Sequence, residues 1–334
     1  MSYFDYSDGF AVNNPVPSTP IFENRPRSVK VTLAIPTYKR TATLRYAIMS
    51  ALSQDYDDYE IIVLDNNPER GDETESFMQA YKDNKKMSYY KNAENIGLFG
   101  NWNRCFELAN GEWVTLLHDD DYYFPNYLST MFKCLSVYPY VQGLYCNRRL
   151  WYDGKEPEPI DHISQTHERT YGMTRVKDYM LFISHPIGPV GIFLKKENVI
   201  KMGGYNPDCY PVSDYSFNWR YHMLYGIYYI DTILVHYRIG INVSIRPETI
   251  KQQEEKNLEM RREFLERNAL PKWWDGITKT TYNNNLAIAQ KQHPGYDWGN
   301  RFSFKRNFYY VLRACLLFWH NHVCRRFSAK ALPR

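Results

Sequence analysis

Long apolar runs are scarce in this 334-residue chain. The nearest to one, Phe308 to Trp319, is broken by Arg313 and falls short of the ~20 residues a helix needs to cross a bilayer. No segment reads as a transmembrane helix. Paired cysteines are missing too. Cys105, Cys134, Cys146, Cys209, Cys315 and Cys324 are scattered, with no CxxC, so neither a zinc site nor a disulfide framework is expected. Glycine-rich phosphate loops of the GxxxxGK[ST] or GxGxxG kind are lacking, and nothing supports ATPase or dehydrogenase chemistry. The start, "MSYFDYSDGF", is acidic and aromatic without an apolar core. No secretory leader is expected, and the cytosol is the expected compartment.

Acidic residues vanish from one stretch. Residues 301–334 hold eight Lys or Arg and no Asp or Glu, while the whole chain carries a net charge of only +4. The rest of the chain is therefore net acidic. The tail "RFSFKRNFYYVLRACLLFWHNHVCRRF" mixes basic, aromatic and aliphatic residues. That mixture suits a helix lying in an anionic membrane interface; a packing helix with solvated arginines is the plainer reading. No nucleic-acid partner is expected.

What is present is alternation. "VKVTLAIP", "YEIIVLDNN", "MSYYKN" and "EWVTLLH" read as buried strands. Between them "TATLRYAIMSALSQ", "DETESFMQAYKDN" and "FGNWNRCFELANG" read as helices, the first capped by Thr41 or Thr43. This predicts an α/β fold, a mostly parallel central sheet with helices on both faces. Ligands in such folds bind beyond the carboxyl ends of the strands. Three polar features fall there: the "PTYKR" turn, Asp65, and the run His118, Asp119, Asp120, Asp121. Residues 1–28 read as a loose arm, "TRVKDYMLFIS" as helical, and the chain from Pro247 as largely helical.

Each candidate has a plain alternative. Carboxylates at a strand end can hold Mg²⁺ or Mn²⁺ against phosphate oxygens, but three aspartates also suit the start of a helix near Pro125. Asp65 in "VLDNNP" can accept from a base N–H or simply form a turn. Asn95 and Asn103 flank a glycine-containing turn into a helix. Asp214, opening "SDYSFNWR", can serve as a general base or as an N-cap. His185, His236 and Arg238 could meet a diphosphate or be ordinary strand and loop residues. Trp219 and Arg220 are further donor or acceptor candidates.

In this order the motifs "VTLAIPTYKR", "EIIVLDNN", "NIGLFGNWNRCFELANGEWVTLLHDDDYYFPNYL", "MGGYN" and "SDYSFNWR" resemble the family 2 glycosyltransferases of the GT-A fold, over roughly residues 29–245. The resemblance implies an inverting transfer of sugar from a nucleotide-diphosphate donor, first of all a UDP-sugar. The acceptor would be a glycan hydroxyl, with a polyprenyl-diphosphate-linked glycan at the inner membrane face as the expected case. It implies that Pro36, Tyr38 and Arg40 meet the nucleotide, Asp65 reads the base, and Asn95 and Asn103 lie near the donor. Asp120, with Asp119 as partner, would bind Mn²⁺ or Mg²⁺, and Asp214 would be the catalytic base. His118 departs from the pattern, standing where an Asp is common, as does Ser213 where Glu is common. The implied organisation is an arm (1–28), a nucleotide-sugar-binding half (29–130), an acceptor-binding and catalytic half (131–245), and a helical extension with a membrane-associating tail (246–334). Two rivals are a non-catalytic nucleotide-sugar-binding protein and a sugar nucleotidyltransferase; the latter would carry a glycine-rich basic loop that "IPTYKRTATL" lacks.

Overall fold

The computed structural model describes residues 2–11, 15–26, 28–152, 173–183, 188–240 and 245–319. The strands β1 (Ser18–Glu23), β2 (Val31–Thr37), β3 (Tyr59–Asp65), β4 (Met87–Asn92) and β5 (Trp113–Leu116) build the first half. Helices α1 (Thr41–Leu52), α2 (Glu73–Met78) and α3 (Gly97–Leu108) connect β2 to β5. Then come β6 (Tyr122–Tyr123), α4 (Tyr127–Val137), β7 (Gly143–Tyr152), β8 (Met173–Arg175), α5 (Met180–Ile183), β9 (Ile192–Lys195) and α6 (Lys196–Lys201). The chain continues through α7 (Ser213–Tyr225), β10 (Tyr228–Ile239), α8 (Pro247–Arg267), α9 (Trp273–Gln292) and α10 (Phe308–Trp319).

One sheet runs β1-β4-β3-β2-β5-β9-β7-β10-β6, with β8 paired to β10. β4, β3, β2 and β5 are parallel, as their helical crossovers require. β9 lies antiparallel between β5 and β7, so the sheet is mixed. Every residue of β2 and β3 is buried, which is why both strands read as unbroken apolar runs. The two-residue period of a strand then divides their side chains. Leu33, Ile35, Ile61 and Val63 join Leu44, Ala47 and Ile48 of α1 in one core. Ala34, Ile62 and Leu64 join Phe99, Trp102 and Phe106 of α3 in the other. Cutting the fully buried Ile62 back to Ala would cost about 2–5 kcal/mol.

Two local expectations differ from the structure. The arm is tied down: β1 pairs antiparallel with β4, and Tyr3, 6% exposed, donates its hydroxyl proton to Glu259 of α8 at 2.6 Å. Its polar composition conceals these long-range partners. The segment predicted to be one helix opens as β8 instead, because Met173–Arg175 pairs with Tyr228–Ile230 of β10. No helix among the described residues is long and apolar enough to cross a membrane.

Candidate active site

The carboxyl end of β2 begins the site. Lys39 has φ of 54°, a left-handed conformation that costs a side-chain-bearing residue roughly 1–2 kcal/mol. The turn returns the chain to α1, whose N-cap residue is Arg40. Neither predicted threonine caps the helix through its side chain; Thr43 Oγ1 donates back to Arg40 O at 3.1 Å. The Arg40 guanidinium instead reaches across to the loop after β5. Its Nη1 lies 3.0 Å from Asp120 Oδ2 and 3.3 Å from Asp119 Oδ1.

The aspartates do not start a helix. α4 opens at Tyr127, with Asn126 as N-cap and no acidic residue in its first turn. Each carboxylate has its own surroundings. Asp119 accepts from Thr37 Oγ1 at 2.8 Å as well as from Arg40. Asp121 is fully buried. Its Oδ1 accepts from Arg238 N of β10 at 2.9 Å, and its Oδ2 lies 3.3 Å from His118 Nδ1. The His118 ring stacks on Trp102, centroids 4.8 Å apart, and Nε2 has no hydrogen-bond partner among the described residues.

Burial and this density of charge raise proton affinity in the cluster. Burial, and then the neighbouring Asp120, push Asp119 up to about 6 against the pull of Arg40. Burial also raises Asp121, with His118 opposing. For His118 itself burial disfavours the cation, but Asp121, Asp120 and Asp119 together outweigh it and raise its pKa.

Asp214 stands in the first turn of α7, where Val212 is the N-cap residue. Asp214 is therefore not the cap. It is half-buried, and Oδ1 accepts from Tyr215 N at 2.8 Å. Burial raises its pKa, opposed by the Tyr215 N–H and by the positive field of His118. Asp214, His118, Asp119, Asp120, Arg40 and Tyr38 line one cleft of about 490 Å³. A larger depression, about 700 Å³, lies at the amino ends of β2 and β5. It holds lysines such as Lys30 and Lys195, paired with Glu112 at 3.7 Å and Glu197 at 3.1 Å, and no comparable set of chemical groups.

Residues 32–196 match the family model described as Glycosyl transferase family 2. The chain belongs to this family. It is 38% identical over 117 residues to the GalNAc(5)-diNAcBac-PP-undecaprenol beta-1,3-glucosyltransferase of Campylobacter jejuni, a match covering 34% of this chain and 37% of that relative. The matched part is thus little over a third of that relative's length. Among solved structures, S. aureus TarS in complex with UDP-GlcNAc superposes with a TM-score of 0.55 at 15% identity, covering 85% of this chain and 78% of that one. A mannosyltransferase from Pyrobaculum calidifontis in complex with GDP-Man and Mn²⁺ gives 0.52 at 15% identity, covering 93% and 86%. At that identity the likeness is one of fold, the GT-A-like arrangement of sheet and helices.

Within the family 2 domain, Pro36 and Asn95 also face the cleft. Asn95 Oδ1 accepts from Asn66 Nδ2 at 2.8 Å and from Gly97 N at 2.9 Å. Asp65 does not line it. Fully buried, its carboxylate is taken up by Lys91 Nζ, Tyr89 Oη and Asn67 N, each at 2.9 Å. Asn103 is also away from the cleft, bonded to the backbone of Gly9 and Tyr205. Trp219 is core, and Arg220 donates to Met202 O at 2.5 Å. His236 packs edge-on to Phe124, and the Arg238 guanidinium lies 4.6 Å over Trp151. His185 lies outside the described residues. Sequence reasoning missed Asn66, Trp102, and Thr249 and Gln253 of α8, all of which line the cleft. Asn66 directly follows Asp65, a usable signal; nothing in the polar α8 sequence marks its two residues.

The donor set fits a divalent metal. His118, Asp120 and Asp121 each offer one ligand atom, and these atoms lie within 4.8 Å of one another. Ligands about 2.1 Å from an ion stand at most about 4.2 Å apart, so closure needs only a small contraction. Asp119, expected beside Asp120 as a ligand, lies outside this trio and is bonded to Thr37 and Arg40 in the metal-free protein.

Proposed function

We propose that this chain is a metal-dependent inverting glycosyltransferase that moves a sugar from a nucleoside-diphosphate donor to a glycan hydroxyl. The observation that carries the reading is that Asp120 and Asp214 open onto one cleft, which Arg40 and His118 also line. Asp214 takes the proton of the acceptor hydroxyl as that oxygen bonds to the anomeric carbon. The bond from carbon to phosphate oxygen breaks, and the diphosphate leaves with the electron pair. Displacement in one step inverts the configuration. A divalent ion held by Asp120, with His118 and Asp121, would supply charge neutralisation for that leaving group. Arg40 adds positive charge on the same side.

A UDP-sugar is the preferred donor; the solved neighbour bound to UDP-GlcNAc supports this. A polyprenyl-diphosphate-linked glycan is the preferred acceptor, supported by the lipid-linked substrate in the Campylobacter relative's name. The C-terminal helix suits work at the inner membrane face. In α10, Tyr309, Leu312 and Leu316 pack on the core, while Phe308, Val311, Phe318 and Trp319 remain 71%, 54%, 62% and 46% exposed. A second apolar stripe beside Arg301, Lys305 and Arg306 is the pattern of an interfacial helix. Protein that fails to float with anionic liposomes at low salt would remove this part of the reading.

Thermal shift with UDP, UDP-sugars and GDP-mannose, with and without Mn²⁺, tests the site. Stabilisation by a nucleotide sugar that requires Mn²⁺ and disappears in Asp120→Asn is expected. Stabilisation indifferent to both would overturn the metal assignment, and none by any nucleotide would overturn the donor site.

A further inference from the structure

The carboxylate that a metal needs is already occupied. Asp120 is 5% exposed, and its Oδ2 is held at 3.0 Å by Arg40 Nη1. The same nitrogen touches Asp119 Oδ1 at 3.3 Å. A dication cannot approach Asp120 without meeting a fixed positive charge a few ångströms away. Arg40 is a third exposed and lines the cleft, so its guanidinium has somewhere to go. Planar guanidinium suits phosphate oxygens as well as carboxylates.

We propose that Arg40 is a placeholder cation, neutralising Asp119 and Asp120 in the metal-free protein and moving to the donor's diphosphate when a divalent ion takes the carboxylates. The idea rests on the metal and donor reading above. Its consequence is thermodynamic. Metal alone must displace Arg40 without compensation, whereas metal with a diphosphate gives Arg40 a new partner. The two ligands therefore tighten each other reciprocally. Lys39, one residue earlier, lies 5.6 Å over the Tyr38 ring and supplies a control: similar charge, different placement.

Mn²⁺ binding to the full chain, followed by electron paramagnetic resonance or calorimetry with and without UDP, tests this without an activity assay. In the wild type, UDP should strengthen Mn²⁺ binding. Arg40→Met should bind Mn²⁺ alone about tenfold more tightly, within the usual range for coupled sites, and should lose most of the UDP enhancement. Lys39→Met should match the wild type. Circular dichroism establishes that each variant is folded. An Arg40→Met protein that binds Mn²⁺ no tighter, or keeps the full enhancement, overturns the placeholder while leaving the metal site standing. An equal gain in Lys39→Met overturns it too, reducing the effect to general charge. If no form binds Mn²⁺ with or without UDP, the metal reading itself fails and the placeholder falls with it.

Discussion

His118 Nδ1 lies 3.3 Å from the buried Oδ2 of Asp121 while the His118 ring stacks on Trp102. The histidine that departs from the family pattern thus shares the charge of an aspartate with no access to water. His118→Phe would keep the stack and leave Asp121 without that partner. The cost should be about 1–3 kcal/mol in urea unfolding of the metal-free protein. The folded pKa of His118 is raised above 6.5. Its contribution is therefore complete below that value and is lost as pH rises through the higher folded value. The gap between wild type and variant should shrink on the alkaline side.

In the proposed mechanism Asp214 would act as a base only when ionised. Burial raises its pKa above the ordinary 3.8, so activity should fall away on the acid side at a pH higher than a free carboxylate would give. His118 opposes the shift, so His118→Phe should move the acid limb of kcat/KM further up. A limb that stays in place would separate the two residues.

Lys91 is the hub of a buried ion network. It is 3% exposed and reaches Asp65 and Asp72 at 2.9 Å and Glu75 at 3.9 Å. Lys91→Met should destabilise the fold by about 3–5 kcal/mol, since Asp65 would be left buried and unpaired. Burial already raises Asp65; without Lys91 its folded pKa rises further. The loss should be greatest at neutral pH and should diminish as pH falls toward the ordinary carboxylate value of 3.8. Denaturation curves at several pH values check this.

Asn103 joins the arm to the loop before α7. Its Nδ2 donates to Gly9 O at 2.9 Å and Tyr205 O at 2.8 Å, and its Oδ1 accepts from Tyr205 N at 2.7 Å. Asn103→Ala should cost about 1–3 kcal/mol and expose residues 2–11 to limited proteolysis before the rest of the chain.

The alternation of strands and helices was legible because β2 and β3 are covered on both faces and carry their apolar runs openly. The cleft was legible where chemistry sits at a strand end or a helix start, as with Arg40, Asp120 and Asp214. It was not where a polar residue has a partner remote in sequence. Asp65 sits at the right strand end, but Lys91 and Tyr89 take up its carboxylate, and Asn66 beside it faces the cleft. Asn103 lies in a suggestive turn, yet its partners come from the arm and from Tyr205. Nor could spacing reveal that Arg40 rests on two of the aspartates.

The proposed chemistry requires that one cleft bind metal and donor and that Asp214 remove the acceptor proton. Release of UDP from a UDP-sugar, with Mn²⁺ and a polyprenyl-diphosphate-linked acceptor, tests it most directly when wild type and Asp214→Asn are compared. Acceptor-dependent release by the wild type is expected. Release should fall about 10²–10⁴-fold in Asp214→Asn, with Mn²⁺-dependent UDP binding retained. Equal release by both proteins would contradict it.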